Sequence, residues 1–302
     1  MKQDTLKILF GAFPMNTYTE EQNHEFLSVL KKYGVKDIDT ASAYPDSERI
    51  LGRLGASKDF TMHTKARAFT AGTLARAPLV SGALLSLFDL KVDQVDVYFL
   101  HSPDPETPLE ETLAAIQELY AAGKFRRFGL SNFLPDQVQQ AYDICKEKGY
   151  VLPSVYQGNY NPVARRIEAD LFPLLRKLNM SFFAYSPLAG GFLTKKHEDI
   201  TNGMYHKLYN KPTLLAALEK WEDIAKDAGV SQAELAYRWV AFNSALKREH
   251  GDGIILGASR PSQLENTLEG LEKGPLDGEV VKRIEGVWDT VKDEAPLDNF
   301  NY

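Results

Sequence analysis

Four residues suited to acid–base chemistry lie at or just after predicted strands in the first third of the chain. Asp39 and Tyr44 come at the end of the second predicted strand and on the loop after it, Lys65 follows the third, and His101 ends the fourth. Reduction of a carbonyl by hydride needs a proton donor for the developing alkoxide, and tyrosine stays protonated at neutral pH. A lysine ammonium stabilises the phenolate, an aspartate holds that lysine charged, and a histidine can hydrogen-bond the carbonyl oxygen. The set therefore suits carbonyl reduction with Tyr44 as the general acid.

Each of these residues, taken alone, also has an ordinary structural interpretation. The chain contains 14 tyrosines and 6 histidines, so one of each near a strand end is no surprise. Lys65 by itself could be a surface lysine, and Asp39 a helix cap. The combination carries the argument, because it supplies an acid, its activating cation, a partner for that cation and a donor to the carbonyl.

Such residues need a scaffold that brings successive strand ends to one place. Short apolar runs alternate with amphipathic helical segments along the whole chain. Several runs, such as 181–185, are almost continuously apolar, which is typical of parallel strands covered on both faces. We predict a single α/β domain over residues 1–302, a (β/α)8 TIM barrel with its active site at the carboxyl ends of the strands. The predicted strands are residues 6–10, 35–40, 60–64, 95–101, 126–130, 154–157, 181–186 and 253–257.

The segments between the strands carry recognisable helix boundaries. Residues 107–110 (Thr-Pro-Leu-Glu) and 231–234 (Ser-Gln-Ala-Glu) both have the pattern of a capping box at a helix start. Gly149 is expected to end the helix before it. The polar connection over residues 195–212 is longer than an ordinary connector, and it has two interpretations, a functional lid or a surface excursion.

Composition argues against several other classes of protein. A net charge of −6 over 302 residues gives no excess of positive charge with which to bind nucleic acid. No stretch is apolar and long enough to span a bilayer, and the first residues lack the apolar run of a signal peptide, so we expect a cytoplasmic protein without a membrane partner. Cys145 is the one cysteine, which excludes an internal disulfide and fits a reducing compartment. Its helical spacing from apolar neighbours predicts a core thiol.

The motifs of other catalytic classes are missing from the sequence. A Rossmann dinucleotide fold needs a glycine fingerprint after its first strand, and residues 11–16 (Gly-Ala-Phe-Pro-Met-Asn) lack that pattern. No His-x-x-x-His pair stands beside an acid, so no metal site is predicted. No Gly-x-Ser-x-Gly nucleophile elbow is present.

Residues 39–44, Lys65 and the run 100–102 around His101 closely resemble the Asp, Tyr, Lys and His tetrad of the aldo-keto reductase superfamily. The resemblance extends over essentially the whole chain, and it is strongest to the aflatoxin aldehyde reductase-like branch. It implies reduction of aldehydes or ketones to alcohols by hydride transfer from a nicotinamide, with Tyr44 as general acid. It also leaves open a nicotinamide-binding regulatory or redox-sensing subunit with little turnover, and it implies a homodimer as a candidate assembly.

The same resemblance implies a cofactor site at the ends of the fifth to eighth strands. Residues 129–133 (Gly-Leu-Ser-Asn-Phe) and 156–161 (Tyr-Gln-Gly-Asn-Tyr-Asn) resemble the family's fifth- and sixth-strand motifs, which are implied to hold the nicotinamide carboxamide. Tyr185 is implied to stack on the nicotinamide ring, and the loop after Tyr185 to wrap the pyrophosphate. The helix start after the eighth strand, with Arg260, suits a 2′-phosphate, so NADPH is expected in preference to NADH. The implied cofactor residues are Asp39, Ser131, Asn132, Gln157, Tyr185, Ser186, Pro187, Leu188, Gly190, Gly191, Lys195, Gly257, Ala258, Ser259, Arg260 and Gln263.

The expected partner is a small carbonyl compound. Tyr44, His101 and the backbone of residues 10–13 are predicted to line the mouth, with the 195–212 connection and Phe300 as walls. Similar reductases often carry an arginine at the extreme carboxyl end that can pair with an anionic substrate, whereas residues 297–302 contain none. We therefore expect no preference for aldehydes that bear a carboxylate.

Overall fold

Eight parallel strands close into a barrel in the order in which they occur along the chain. A computed structural model describes residues 6–196, 206–298 and 300. The last strand pairs with the first, in the register Leu9 to Ile255, so no strand edge is left open. The predicted barrel is confirmed, and each predicted strand overlaps an observed one. The strands are β1 (Lys7–Gly11), β2 (Asp37–Asp39), β3 (Thr61–Lys65), β4 (Val95–Leu100), β5 (Phe125–Ser131), β6 (Pro153–Asn159), β7 (Ser181–Tyr185) and β8 (Gly253–Leu256).

Helices cover the outside of the barrel with amphipathic faces. In the last of them the buried residues Ile284, Val287 and Val291 recur at helical spacing. The helices are α1 (Glu20–Lys32), α2 (Ser47–Arg53), α3 (Arg76–Leu90), α4 (Leu109–Ala121), α5 (Pro135–Lys148), α6 (Ile167–Lys177), α7 (His206–Tyr209), α8 (Pro212–Asp227), α9 (Gln232–Arg238), α10 (Pro261–Glu272) and α11 (Gly278–Val291).

Large apolar side chains fill the barrel below the carboxyl ends of its strands. One buried cluster, separate from the main helix-covered core, joins Leu9, Val97, Phe99, Val155, Phe183 and Ile255. A Cβ atom on Gly129 would lie 2.2 Å from Cδ1 of Phe99, so only glycine on β5 leaves space for this ring. The filled interior is a solid floor that confines any ligand to the mouth of the barrel.

The predicted helix boundaries are correct in part. Ser231 caps α9 by accepting a hydrogen bond from the backbone N–H of Glu234 (3.0 Å), and Gly149 ends α5 with φ 65°. The prediction of a capping box at residues 107–110 is wrong. The Thr107 hydroxyl donates to Asp104 Oδ2 (2.9 Å) instead, because that carboxylate organises the preceding turn, and α4 begins at Leu109 without a side-chain cap.

Two further predictions concern the connection over residues 195–212 and the lone cysteine. Residues 206–209 of the connection form α7, and 197–205 lie outside the described residues. Cys145 is buried on α5, and burial raises the pKa of its thiol to about 12, so the predicted core thiol is confirmed.

No helix in the described part of the chain is long and apolar enough to cross a membrane.

Candidate active site

Strand ends and one loop bring the four predicted acid–base residues together. Asp39 ends β2, Lys65 ends β3, His101 follows β4, and Tyr44 lies on the loop between β2 and α2. The Lys65 ammonium donates to Asp39 Oδ2 at 2.6 Å and to the carbonyl of Thr40 at 2.7 Å. Lys65 Nζ lies 5.2 Å from the centroid of the Tyr44 ring, and the rings of Tyr44 and His101 are 5.8 Å apart. All four groups therefore share one locus.

The loop that carries Tyr44 is fixed to β3 by hydrogen bonds. The Ser42 backbone N–H and hydroxyl both donate to the carbonyl of Lys65, at 3.2 and 3.1 Å. The N–H of Tyr44 then closes a turn onto the carbonyl of Ala41 at 3.0 Å. Because the loop is tied to the residue that carries the ammonium, the tyrosine and the lysine keep a fixed relation.

Burial sets the charges of this cluster. Lys65 is fully buried, which lowers its pKa, while the adjacent Asp39 carboxylate opposes that shift. Burial also holds the pKa of His101 well below its usual value, and the charge on Lys65 acts in the same direction. The His101 imidazole is therefore neutral at neutral pH and keeps one N–H to donate.

Asp39 connects this cluster to the opposite side of the barrel. Its Oδ1 accepts a hydrogen bond from Nε2 of Gln157 on β6 at 2.9 Å, while Oδ2 accepts from Lys65. The carboxylate thus orients the Gln157 amide as well as the ammonium.

A cavity of about 1000 Å³ opens over these groups and extends to the ends of β5–β8. This volume lies at the upper end of the range for small-molecule and cofactor sites. The predicted site residues in its wall are Asp39, Tyr44, His101, Ser131, Asn132, Gln157, Tyr185, Ser186, Pro187, Leu188, Gly190, Gly191, Gly257, Ala258, Ser259 and Gln263. Lys65 lies buried behind the wall.

Tyr185 is held at the cavity by an amide. Its hydroxyl donates to Asn132 Oδ1 at 2.8 Å, and Asn132 Nδ2 in turn donates to the carbonyl of His101 at 2.8 Å. Asn132 adopts a left-handed backbone (φ 61°), which places its side chain back across the end of β4. The tyrosine ring, half-buried in the cavity wall, is therefore fixed in orientation relative to the acid–base cluster.

The loop after β7 turns tightly under the cavity. Ser186, Ala189, Gly190 and Gly191 all have positive φ, the largest being 94° at Gly191. Glycine at residues 190 and 191 suits this left-handed backbone conformation, because glycine has no Cβ that the positive φ would strain. At Gly190 and Gly191 the loop lines the cavity with main chain alone, beside Ser186, Pro187 and Leu188.

The segment after β8 forms the far end of the cavity. The Tyr237 hydroxyl donates to the carbonyl of Gly257, and the Tyr18 hydroxyl donates to that of Ala258, each at 2.9 Å. Gln263 Oε1 accepts the N–H of Ser259 at 3.0 Å at the start of α10. These contacts hold the segment in place beside the helix start.

Two predicted cofactor residues lie outside the cavity wall. Arg260 is exposed at the N-cap of α10, next to Ser259, and Lys195 follows Thr194, where the wall ends. Their neighbours Thr194 and Ser259 line the cavity, so both predicted residues lie next to the wall, and their role in cofactor binding stays a prediction.

The sequence profile of the Aldo/keto reductase family matches residues 7–289. The chain belongs to the aldo/keto reductase family. It is therefore an NAD(P)H-dependent oxidoreductase, as the sequence resemblance predicted.

Relatives over most of the chain support this family assignment. Oxidoreductase sirO of Leptosphaeria maculans is 42% identical over 308 residues, 97% of this chain and 92% of that protein. An aldo-keto reductase of Pseudocercospora fijiensis is 37% identical over 288 residues, 88% of this chain and 97% of that protein. The human aflatoxin B1 aldehyde reductase member 2 is 37% identical over 291 residues, 87% of this chain and 80% of that protein.

Phe300 lines the cavity as predicted, but sequence reasoning missed the rings of Phe13 and Phe69, which complete an aromatic wall beside the acid–base cluster of this aldo/keto reductase. The Phe13 ring lies 5.2 Å from that of Tyr44, and the Phe69 ring lies 4.9 Å from that of His101 and 5.8 Å from that of Phe300. Phe69 has a left-handed backbone (φ 67°), which is rare for a bulky residue and marks a position held by its surroundings. Its place on the loop directly after β3 was the signal that could have identified it.

Proposed function

We propose that this aldo/keto reductase uses NADPH to reduce small aldehydes or ketones to alcohols, with Tyr44 as the general acid. The observation that carries the proposal is the buried pair of Lys65 and Asp39 beside Tyr44, with a neutral His101 on the same cavity. The buried carboxylate supports the charged lysine, and an ammonium beside a phenol stabilises the phenolate left by proton donation. The reaction thus receives an acid that is neutral in its resting state and ready to transfer a proton.

His101 is assigned to binding the carbonyl oxygen. A neutral imidazole that donates a hydrogen bond orients the substrate and stabilises negative charge as it develops on that oxygen. A charged imidazolium would instead compete with Tyr44 to give up a proton. The strongly lowered pKa of His101 therefore favours a division of labour, in which tyrosine transfers the proton and histidine positions the oxygen.

The residues present fit a nicotinamide dinucleotide. Ser131, Asn132 and Gln157 line the cavity with hydroxyl and amide groups that complement a carboxamide, and Tyr185 supplies an aromatic face. A Cβ on Gly257 would meet no heavy atom within 4 Å, so space remains above the end of β8. When bound, the cofactor supplies the hydride.

The preference for NADPH over NADH is proposed on the segment after β8. Gly257, Ala258, Ser259 and Gln263 line the cavity there, and the exposed Arg260 stands at the start of α10. A helix start and a guanidinium are both suited to a phosphate group. We assign this end of the cavity to the 2′-phosphate.

Turnover of the purified protein tests the proposed function. Loss of NADPH absorbance on addition of an aromatic or dicarbonyl aldehyde, with an equal amount of alcohol formed, is the expected result. Tight binding of NADPH with no turnover across a panel of aldehydes and ketones would contradict it and would favour a regulatory or redox-sensing subunit.

A further inference from the structure

The loop between β3 and α3, residues 66–75, carries Phe69 to the mouth of the barrel. The Phe69 ring lies in the cavity wall, 4.9 Å from that of His101 and 5.8 Å from that of Phe300. Phe69 is nevertheless 58% exposed, and its backbone has φ 67°, which is unfavourable for a bulky residue. Because more than half of this residue is in solvent, its position depends on how the rest of the loop is held.

One carboxylate on the neighbouring loop holds the second half of this segment. Asp104, between β4 and α4, accepts the backbone N–H of Gly72 on Oδ1 at 3.1 Å and that of Leu74 on Oδ2 at 3.0 Å. The same two oxygens accept from its own loop, from the N–H of Glu106 at 3.1 Å and from the hydroxyl of Thr107 at 2.9 Å. Asp104 therefore joins the loops that follow β3 and β4.

The contacts at either end of the loop complete its attachment. The N–H of Ala66 donates to the carbonyl of Phe99 on β4 at 2.8 Å, and the buried hydroxyl of Thr112 on α4 donates to the carbonyl of Leu74 at 3.1 Å. Phe69 lies between these two anchors, and the second of them shares Leu74 with Asp104. The ring is thus presented by a short segment whose far end is fixed through Asp104.

The charge of Asp104 strengthens this attachment. Burial disfavours the ionised carboxyl, but the hydrogen bonds from Leu74, Gly72, Thr107 and Glu106 outweigh burial and lower its pKa below the ordinary value. Hydrogen bonds to a charged acceptor are about twice as strong as those between neutral groups. The carboxylate therefore stays ionised, with its hydrogen bonds at full strength, at neutral pH.

We propose that Asp104 is a positioning residue that sets the substrate selectivity of this reductase by holding the Phe69 ring at the mouth of the cavity. The inference rests on the proposed function, because it requires that aldehydes are reduced in this cavity. Asp104 lies outside the described cavity wall, so it acts through the loop. An aromatic aldehyde is large enough to pack against the ring, whereas a small aliphatic aldehyde gains little from it.

Selectivity measured in a double-mutant cycle tests the inference. With NADPH as reductant, kcat/KM is measured for benzaldehyde and for propanal in the parent, Asp104→Ala, Phe69→Ala and the double variant. Asp104→Ala should lower the ratio of the two values by roughly two- to tenfold, and by no more than Phe69→Ala does. In the double variant the ratio should equal that of Phe69→Ala alone, because two residues that act through one contact are not additive.

Two further variants serve as controls. Asp104→Asn keeps one acceptor oxygen without the charge, so it should lose part of the selectivity, and it carries the test if Asp104→Ala does not fold. Asp143 is an exposed aspartate on α5 that accepts from Gln139 at 2.9 Å, and Asp143→Ala should keep the parental ratio. An unchanged dissociation constant of NADPH in each variant shows that the barrel is intact.

Three results would overturn the inference. The first is a parental ratio in both Asp104 variants, and the second is an equal loss of kcat/KM for both aldehydes, which would indicate a general structural role. The third is a double variant whose loss of selectivity is the product of the two single losses, since Asp104 would then act independently of Phe69. A parent protein that reduces neither aldehyde would instead refute the proposed function itself.

Discussion

Replacing Lys65 with methionine should remove most of the activity while keeping the shape of the site. The ammonium lies 5.2 Å from the Tyr44 ring centroid. With the phenolate charge placed at that centroid and an effective dielectric of about 20, its attraction to the ammonium is 332/(20 × 5.2), or about 3 kcal/mol. At about 1.4 kcal/mol per factor of ten, kcat should fall by about two orders of magnitude. Steady-state oxidation of NADPH at saturating aldehyde measures this loss.

The same substitution also affects folding, which a second variant controls. Lys65→Met leaves the Asp39 carboxylate buried without its cation, and breaking a buried pair costs about 3–5 kcal/mol in the free energy of unfolding. The double variant Lys65→Met/Asp39→Asn removes both charges, so denaturant unfolding should show part of the stability restored while kcat stays low. If the double variant recovered parental turnover, the ammonium would have no role in activating Tyr44.

Three further predictions address the rest of the site. The stability of the parent should fall below about pH 6.5, by up to about 1.4 kcal/mol per pH unit, because the unfolded chain binds a proton on His101 that the buried imidazole of the folded chain does not. His101→Gln should flatten this fall. Thermal unfolding from pH 7 to 5 compares the two proteins, and parallel curves would contradict the prediction. Phe69→Ala should raise KM for aromatic aldehydes by roughly two- to tenfold, which is the effect of losing one aromatic contact, and should change KM little for small aliphatic aldehydes. Equal changes in KM for both classes would argue against a ring contact between Phe69 and the substrate. Arg260→Gln should weaken NADPH but not NADH in titrations, and a uniform loss would remove Arg260 from the 2′-phosphate.

The barrel and the acid–base cluster could be predicted because each depends on local patterns. The continuously apolar β7 indicates a parallel strand covered on both faces, and Asp39 and Lys65 can be placed at strand ends by counting along their strands. Parallel strands in a closed barrel then have only one edge at which their carboxyl ends can meet. Proximity of Tyr44 and His101 follows from this topology without knowledge of any side-chain conformation.

The wall of the cavity could not be predicted because it depends on contacts between distant segments. Lys207 faces the cavity because Tyr209 fixes α7 against Phe192, and no periodicity in the sequence encodes that pairing. Thr107 failed as a helix cap for a related reason, since Asp104, three residues earlier, engages its hydroxyl. Lys195 and Arg260 show the same limit on a smaller scale, because the sequence does not indicate that the cavity wall ends one residue earlier, at Thr194 and at Ser259.

The measurement that bears most directly on the chemistry is the turnover of Tyr44→Phe, compared with the parent at saturating NADPH and aldehyde. The substitution deletes only the proton donor, so kcat should fall by about 10²–10⁴-fold while the dissociation constant of NADPH stays the same. Alcohol formation at the parental rate would show that another group delivers the proton and that the cluster of Asp39, Lys65 and His101 around this tyrosine serves some other purpose.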